Sequence, residues 1–117
     1  MAFDYEALVS SAVLPTVATA VITNSVSTER LFVRTVVLNN IGAGVGIVEL
    51  FLVPNVAGAL GTQEANDRFH YASLAQDEEK IVEYPVPGII LEYNDAIYAV
   101  CDTADTINCI ITGGREY

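Results

Sequence analysis

The chain has 117 residues, 52% of them hydrophobic, which suffices for one sandwich-sized core and leaves no room for a second domain. Five basic residues against fifteen acidic ones give a formal net charge of -10, which opposes contact with phosphate backbones and anionic lipid and so argues against nucleic-acid and membrane partners. One histidine, no tryptophan and a charged fraction of only 17% offer little catalytic equipment, while the apolar excess suits a subunit that buries surface against a partner.

Residues 1–13 carry Phe3, Tyr5, Leu8, Val9 and Val13 without a clean strand or helix period, so neither a regular strand nor a long helix is specified. The segment reads as an N-terminal arm that docks on a neighbouring subunit, with residues 14–117 forming the domain proper. Its acidic start and the lack of any apolar run of about 18 residues point to a soluble protein made in the cytosol.

Leu14-Pro15 opens the domain, and Thr16 to Thr23 alternates as a strand with one partly wet face. Asn24-Ser25-Val26-Ser27 turns the chain. From Arg30 to Leu38 the alternation predicts Leu31, Val33, Thr35 and Val37 on one face and Phe32, Arg34, Val36 and Leu38 on the other. Both faces are largely apolar, as in a central strand covered on both sides, its outer face meeting the arm or another chain.

After the Asn39 to Gly44 loop, Gly46 to Val53 is the next strand, with Val48, Leu50 and Leu52 inward and Glu49 at a solvent or subunit boundary. Pro54 to Asp67 is a long linker, Arg68 to Leu74 a strand, and Gln76 to Glu79 an acidic bend. Pro85 and Pro87 limit backbone donation in Lys80 to Val86, which places that strand at an edge or ends it early. Residues 88–95 cross over to a closing hairpin, Ala96 to Asp102 with Thr106 to Thr112, whose inward set is Ile97, Ala99, Cys101, Ile107, Cys109 and Ile111. The sum is an all-β chain, a single antiparallel β-sandwich, jelly-roll-like, of about seven to eight strands.

Cys101 and Cys109 flank the turn-like Asp102 to Asp105, so a hairpin disulfide is geometrically possible, but two reduced thiols suit a chain without an export signal better. Their spacing is not that of a zinc or redox pair. His70 has no second histidine nearby, and Asp77, Glu78 and Glu79 lack the Gly-spaced loop of a calcium site. Gly42-Ala43-Gly44-Val45-Gly46 lacks the Lys-Ser/Thr of a phosphate loop, and no nucleophile motif surrounds Ser10-Ser11 or Ser25 and Ser27. No catalytic residue, metal or cofactor is therefore expected. The aromatic residues suit interface packing better than glycan stacking.

The order of several segments resembles a small β-sandwich module of tailed-bacteriophage virion proteins. These are Leu14-Pro15, Val37-Leu38-Asn39-Asn40, Val48 to Pro54 with Gly58 after it, Ala65-Asn66-Asp67-Arg68, Leu91 to Ile97, and Ile107 to Gly113, spanning residues 14–113. Where such modules often place a Pro-Ala-Gly turn before the second strand, this chain has Ser25-Val26-Ser27-Thr28-Glu29. The resemblance implies a non-enzymatic virion structural protein: a capsid decoration (cement) protein on the capsid surface, or a tail or baseplate component. A carbohydrate-binding adhesin module is a further alternative. It also implies the major capsid protein as partner and a homotrimer that closes around a symmetry axis. Candidate interface residues are Phe3, Tyr5, Leu8, Val9, Phe32, Phe51 and Tyr117.

Overall fold

The structure, a computed structural model, describes residues 3–117; the Phe3 side chain lies outside the described part. Its strands are β1 (Phe3–Val13), β2 (Thr19–Thr23), β3 (Arg30–Asn40), β4 (Gly46–Val53), β5 (Arg68–Leu74), β6 (Glu79–Glu83), β7 (Ile89–Leu91), β8 (Ala96–Cys101) and β9 (Ile107–Glu116). One sheet runs β1-β9-β3-β6, with β7 also paired to β3, and the second runs β2-β8-β4-β5. All pairings are antiparallel. With β6 and β7 counted as one interrupted strand, this is the interleaved order of a jelly roll, so the expected antiparallel sandwich stands.

The core lies between the sheets. Leu31, Val33, Val36, Leu38, Cys109, Ile107 and Ile111 from the first sheet meet Val48, Leu50, Leu74, Ile97, Ala99 and Cys101 from the second. These β-branched and aliphatic side chains fit a pleated surface covered on one face, and each full burial contributes about 1.5–3 kcal/mol. The inward set predicted for the last two strands is buried throughout.

Several expectations need correction. The segment before Leu14 is a strand, β1, paired to β9 of its own sheet from Phe3 opposite Glu116 to Val13 opposite Asn108. Register shifts between Ala7 and Val9 and between Val9 and Ala12 erase the sequence period that would have identified it. The last two strands are not a hairpin, because β8 pairs with β2 and β4 whereas β9 pairs with β1 and β3. Asp102 to Asp105 carries the chain from one sheet to the other, so Cys101 and Cys109 belong to different sheets, and both are free.

The alternation predicted along β3 holds only to Val33. A bulge between Val33 and Thr35 reverses the phase, so Leu31 and Val33 face the core first and Val36 and Leu38 do so afterwards. Opposite the bulge, β9 continues to Glu116 instead of stopping near Thr112. A Cβ on Gly113 would lie 1.7 Å from the Phe32 carbonyl oxygen, so only glycine allows β9 to pass there. On the other flank of β3, β6 ends and β7 begins. Tyr84 N–H donates to the Arg34 carbonyl at 2.8 Å, and residues 84–88 loop outward through Pro85 and Pro87 to Gly88, whose φ of 91° suits glycine. β6 is an edge strand and ends at Glu83, before Pro85 and Pro87, short of the expected Val86.

In β4, Phe51 and Val53 are buried although they alternate with inward Leu50 and Leu52. The 54–67 segment folds back here: a Cβ on Gly61 would lie 3.3 Å from Val53 Cγ1, and the short 3-10 turn Ala65–Asp67 abuts β4.

Two buried asparagines close the loops at the two ends of β3. Asn24 Nδ2 donates to the carbonyls of Glu29 at 2.7 Å and Leu91 at 3.0 Å, while its Oδ1 accepts from Val26 N–H. Asn40 repeats the pattern with Gly44 at 2.7 Å, Leu74 at 2.9 Å and Gly42 N–H. Each side chain thus satisfies its own turn and one distant strand end, the full use of an amide in a place water does not reach.

Candidate functional site, an outer sheet face

Antiparallel register carries one row of residues across the outer face of the first sheet: Tyr5 opposite Gly114, Gly114 opposite Phe32, and Phe32 opposite Ile90. Tyr5 is 65% exposed, Phe32 only 7%, and Gly114 between them has no side chain to fill the gap. The result is a groove of about 370 Å³ lined by Tyr5, Phe32, Arg34, Val86, Pro87 and Glu116. Val86, 76% exposed, stands on the loop that the β3 bulge pushes outward. A shallower depression continues past Arg34 toward Glu83 and Tyr84.

Charged contacts tie the strand ends of this sheet together, Arg30 with Glu116 on the outer face and Arg115 with Glu6 on the inner one. Arg115 donates from Nε to Glu6 at 2.8 Å and from Nη1 to Glu29 at 2.6 Å, tying β1 and the turn before β3 to β9. Arg30 donates from Nε and Nη2 to one oxygen of Glu116 at 3.0 and 2.7 Å, and its guanidinium carbon lies 5.7 Å from the centre of the Phe32 ring. Hydrogen bonding to Glu6 and to Glu116, respectively, raises the pKa of Arg115 and of Arg30. Tyr117 donates its hydroxyl to the Asp4 carboxylate, and that hydrogen bond raises its pKa.

Arg34 is placed differently. Its Nε donates to the Tyr84 carbonyl at 3.1 Å, and it enters none of the ion pairs among the described residues. A guanidinium therefore lines an apolar groove with no carboxylate of the described residues within ion-pair distance, although Glu116 lines the same groove.

The candidate interface residues separate into groups. Tyr5 and Phe32 come together in the groove, whereas Tyr117, half exposed and against Asp4, lines a separate depression with Glu29, Arg30 and Glu92. Leu8 and Val9 pack against the chain's own core. Phe51 is buried in the second sheet, and the Phe3 side chain lies outside the described residues. Arg34, Val86, Pro87 and Gly114 were not singled out from the sequence. The arginine interrupting an apolar run and the Pro-Val-Pro triplet were visible, but their juxtaposition depends on a bulge and a register.

On the second sheet's outer face, Arg68 pairs with Glu49 at 3.0 Å and lies 5.1 Å from the Tyr71 ring centre. His70 is half-buried with no hydrogen-bond partner at Nε2 among the described residues, and burial, reinforced by Lys80, lowers its pKa. Burial raises that of Tyr84, whose ring meets Phe69 edge-on at 6.2 Å. Burial also pushes the Cys109 thiol up to about 12. In the acidic bend, Glu78 accepts from Ala75 N–H and so caps its own turn. Among the described residues no group of three or more His, Cys, Asp or Glu is placed to hold a metal ion.

No family model matches the chain, and no curated protein matches its sequence. A solved structure described as "Bacillus endospore appendages form a novel family of disulfide-linked pili" is similar over 97% of this chain and 85% of that one, with a TM-score of 0.51 and 9% identity. At that identity the likeness speaks for the sandwich fold alone.

Proposed function

We propose that this chain is a non-enzymatic structural subunit of a tailed-bacteriophage virion, a capsid decoration protein that stabilises the shell through surface contacts. The observation that carries this reading is the outer face of the first sheet. There, exposed Tyr5 and Val86 flank a groove containing Phe32 and Arg34, on a domain whose charge disfavours nucleic acid. The order of segments shared with virion sandwich modules supplies the biological setting. The partner is the major capsid protein, and the subunit joins its own copies as a homotrimer on the capsid surface.

Copy number in purified particles, measured against the major shell protein by quantitative mass spectrometry, tests the reading. Hundreds of copies are expected of a decoration protein. A handful moves the chain to the tail or baseplate, and none removes it from the virion.

A second reading, a filament subunit, draws on the pilus protein of similar fold. Both cysteines of this chain are buried, so a filament would be held by surface contacts rather than by these thiols. Negative-stain microscopy of concentrated, purified protein separates the two: filaments support the second reading, and compact oligomers the first.

A further inference from the structure

We infer that the groove between Tyr5 and the Val86-Pro87 ridge takes a peptide segment of a partner protein that presents one apolar side chain beside one carboxylate. The inference stands on the groove itself and does not depend on the partner being a capsid protein.

Size comes first. A volume of about 370 Å³ lies at the lower end of the roughly 300–1,000 Å³ of ligand pockets, enough for a side chain or two but not for a folded element. Its walls, Tyr5, Phe32, Val86 and Pro87, are apolar and come from three separate parts of the chain, so a side chain inserted there loses water on several sides.

Charge selects the second feature. Arg30, Arg68 and Arg115 each have a carboxylate within 3.0 Å, whereas Arg34 enters no ion pair among the described residues. Glu116 also lines the groove, but its Oε1 accepts two hydrogen bonds from Arg30. The Nε bond to the Tyr84 carbonyl fixes the plane of the Arg34 guanidinium and leaves its terminal nitrogens to donate elsewhere. A cation held beside apolar walls is better stabilised by an incoming carboxylate than by partial hydration.

The net charge of -10 narrows the class further. Polyanions such as nucleic acid or an acidic lipid surface are repelled at long range, while a single carboxylate gains its attraction at contact, inside the groove. A neutral or basic partner surface carrying one such acidic-apolar pair fits best.

The test is an NMR titration of the full chain with an acetylated, amidated tetrapeptide holding phenylalanine next to aspartate, alongside its leucine version and the asparagine counterparts of both. At least one aspartate peptide is expected to produce saturable shifts confined to the amides of Tyr5, Phe32, Arg34, Gly114 and Val86. Its affinity should exceed that of its asparagine counterpart about tenfold, the scale of one charge-assisted bidentate contact. Arg34→Gln should abolish that discrimination with an unchanged spectrum elsewhere, and Tyr5→Ser should weaken both peptides of a pair equally. No saturable shift at millimolar peptide, shifts outside the groove, or discrimination retained in Arg34→Gln overturns the inference.

Discussion

On the outer face of the β2-β8-β4-β5 sheet, Arg68 is matched by Glu49 at 3.0 Å and lies over Tyr71, whereas on the β1-β9-β3-β6 face Arg34 lines a groove and enters no ion pair among the described residues. Each face sets an arginine near an exposed tyrosine, Arg68 with Tyr71 and Arg34 with Tyr5, so composition does not separate these two pairs. What separates them is pairing. On the second face the arginine finds its carboxylate within the chain, while the first leaves the Arg34 guanidinium and the exposed Tyr5 and Val86 side chains to be covered.

Breaking the scaffold that both faces share has the largest expected effect. Asn40→Asp removes two amide donors and sets a carboxylate against the carbonyls of Gly44 and Leu74, in a site that is 1% exposed. A loss of about 3 kcal/mol is expected from the unpaired buried groups. Urea unfolding checks it, and a loss below about 1 kcal/mol would mean that water enters the site.

Weakening only the first sheet is the next step. Arg115→Met cuts the link from β9 to Glu6 and Glu29 while keeping the side-chain stem. These partners are partly exposed, so about 1 kcal/mol is expected. The loss should fall on one sheet: hydrogen exchange should quicken in β1 and stay unchanged in β4 and β5. Uniform quickening would mean that β1 does not open independently.

His70 offers a smaller, pH-dependent effect inside the sandwich. Its folded pKa is lowered from about 6.5, chiefly by burial, so the unfolded chain binds a proton more readily. The stability present above the unfolded pKa therefore declines as pH falls from about 6.5 toward the lower folded value, then levels off. His70→Gln should flatten that part of the stability curve in thermal melts between pH 7 and pH 5, and a curve of unchanged slope would place the pH dependence on other groups.

The smallest effect is expected where the surface awaits a partner. Val86→Ser and Tyr5→Ser should leave stability within about 0.5 kcal/mol, because both side chains are mostly exposed. A cost above about 1 kcal/mol at either position would mean that the groove walls belong to the fold and would erase the contrast with the second face.

Much of the architecture was legible locally. Strands β4 and β5 fall on the residues where alternation and flanking turn residues placed them, and the inward residues of β8 and β9 are those the period predicted. The groove was legible only in part. Tyr5 and Phe32 were recognised as large apolar residues outside a clean inward pattern, but Leu8, Val9 and Phe51 looked equivalent and are buried in or against the chain itself.

By itself, the sequence determined that the chain would form one acidic, all-β domain, because side-chain period, turn residues and charge balance act over a few neighbours or over the whole composition. Tertiary structure alone decided that β8 and β9 enter different sheets, that residues 3–13 complete the first sheet, and that a bulge at Val33 to Thr35 reverses β3. Those choices depend on pairing between residues as distant as Phe3 and Glu116. Local propensity carries no information about such partners, and only the packed sandwich brings Tyr5, Phe32, Arg34 and Val86 around one groove.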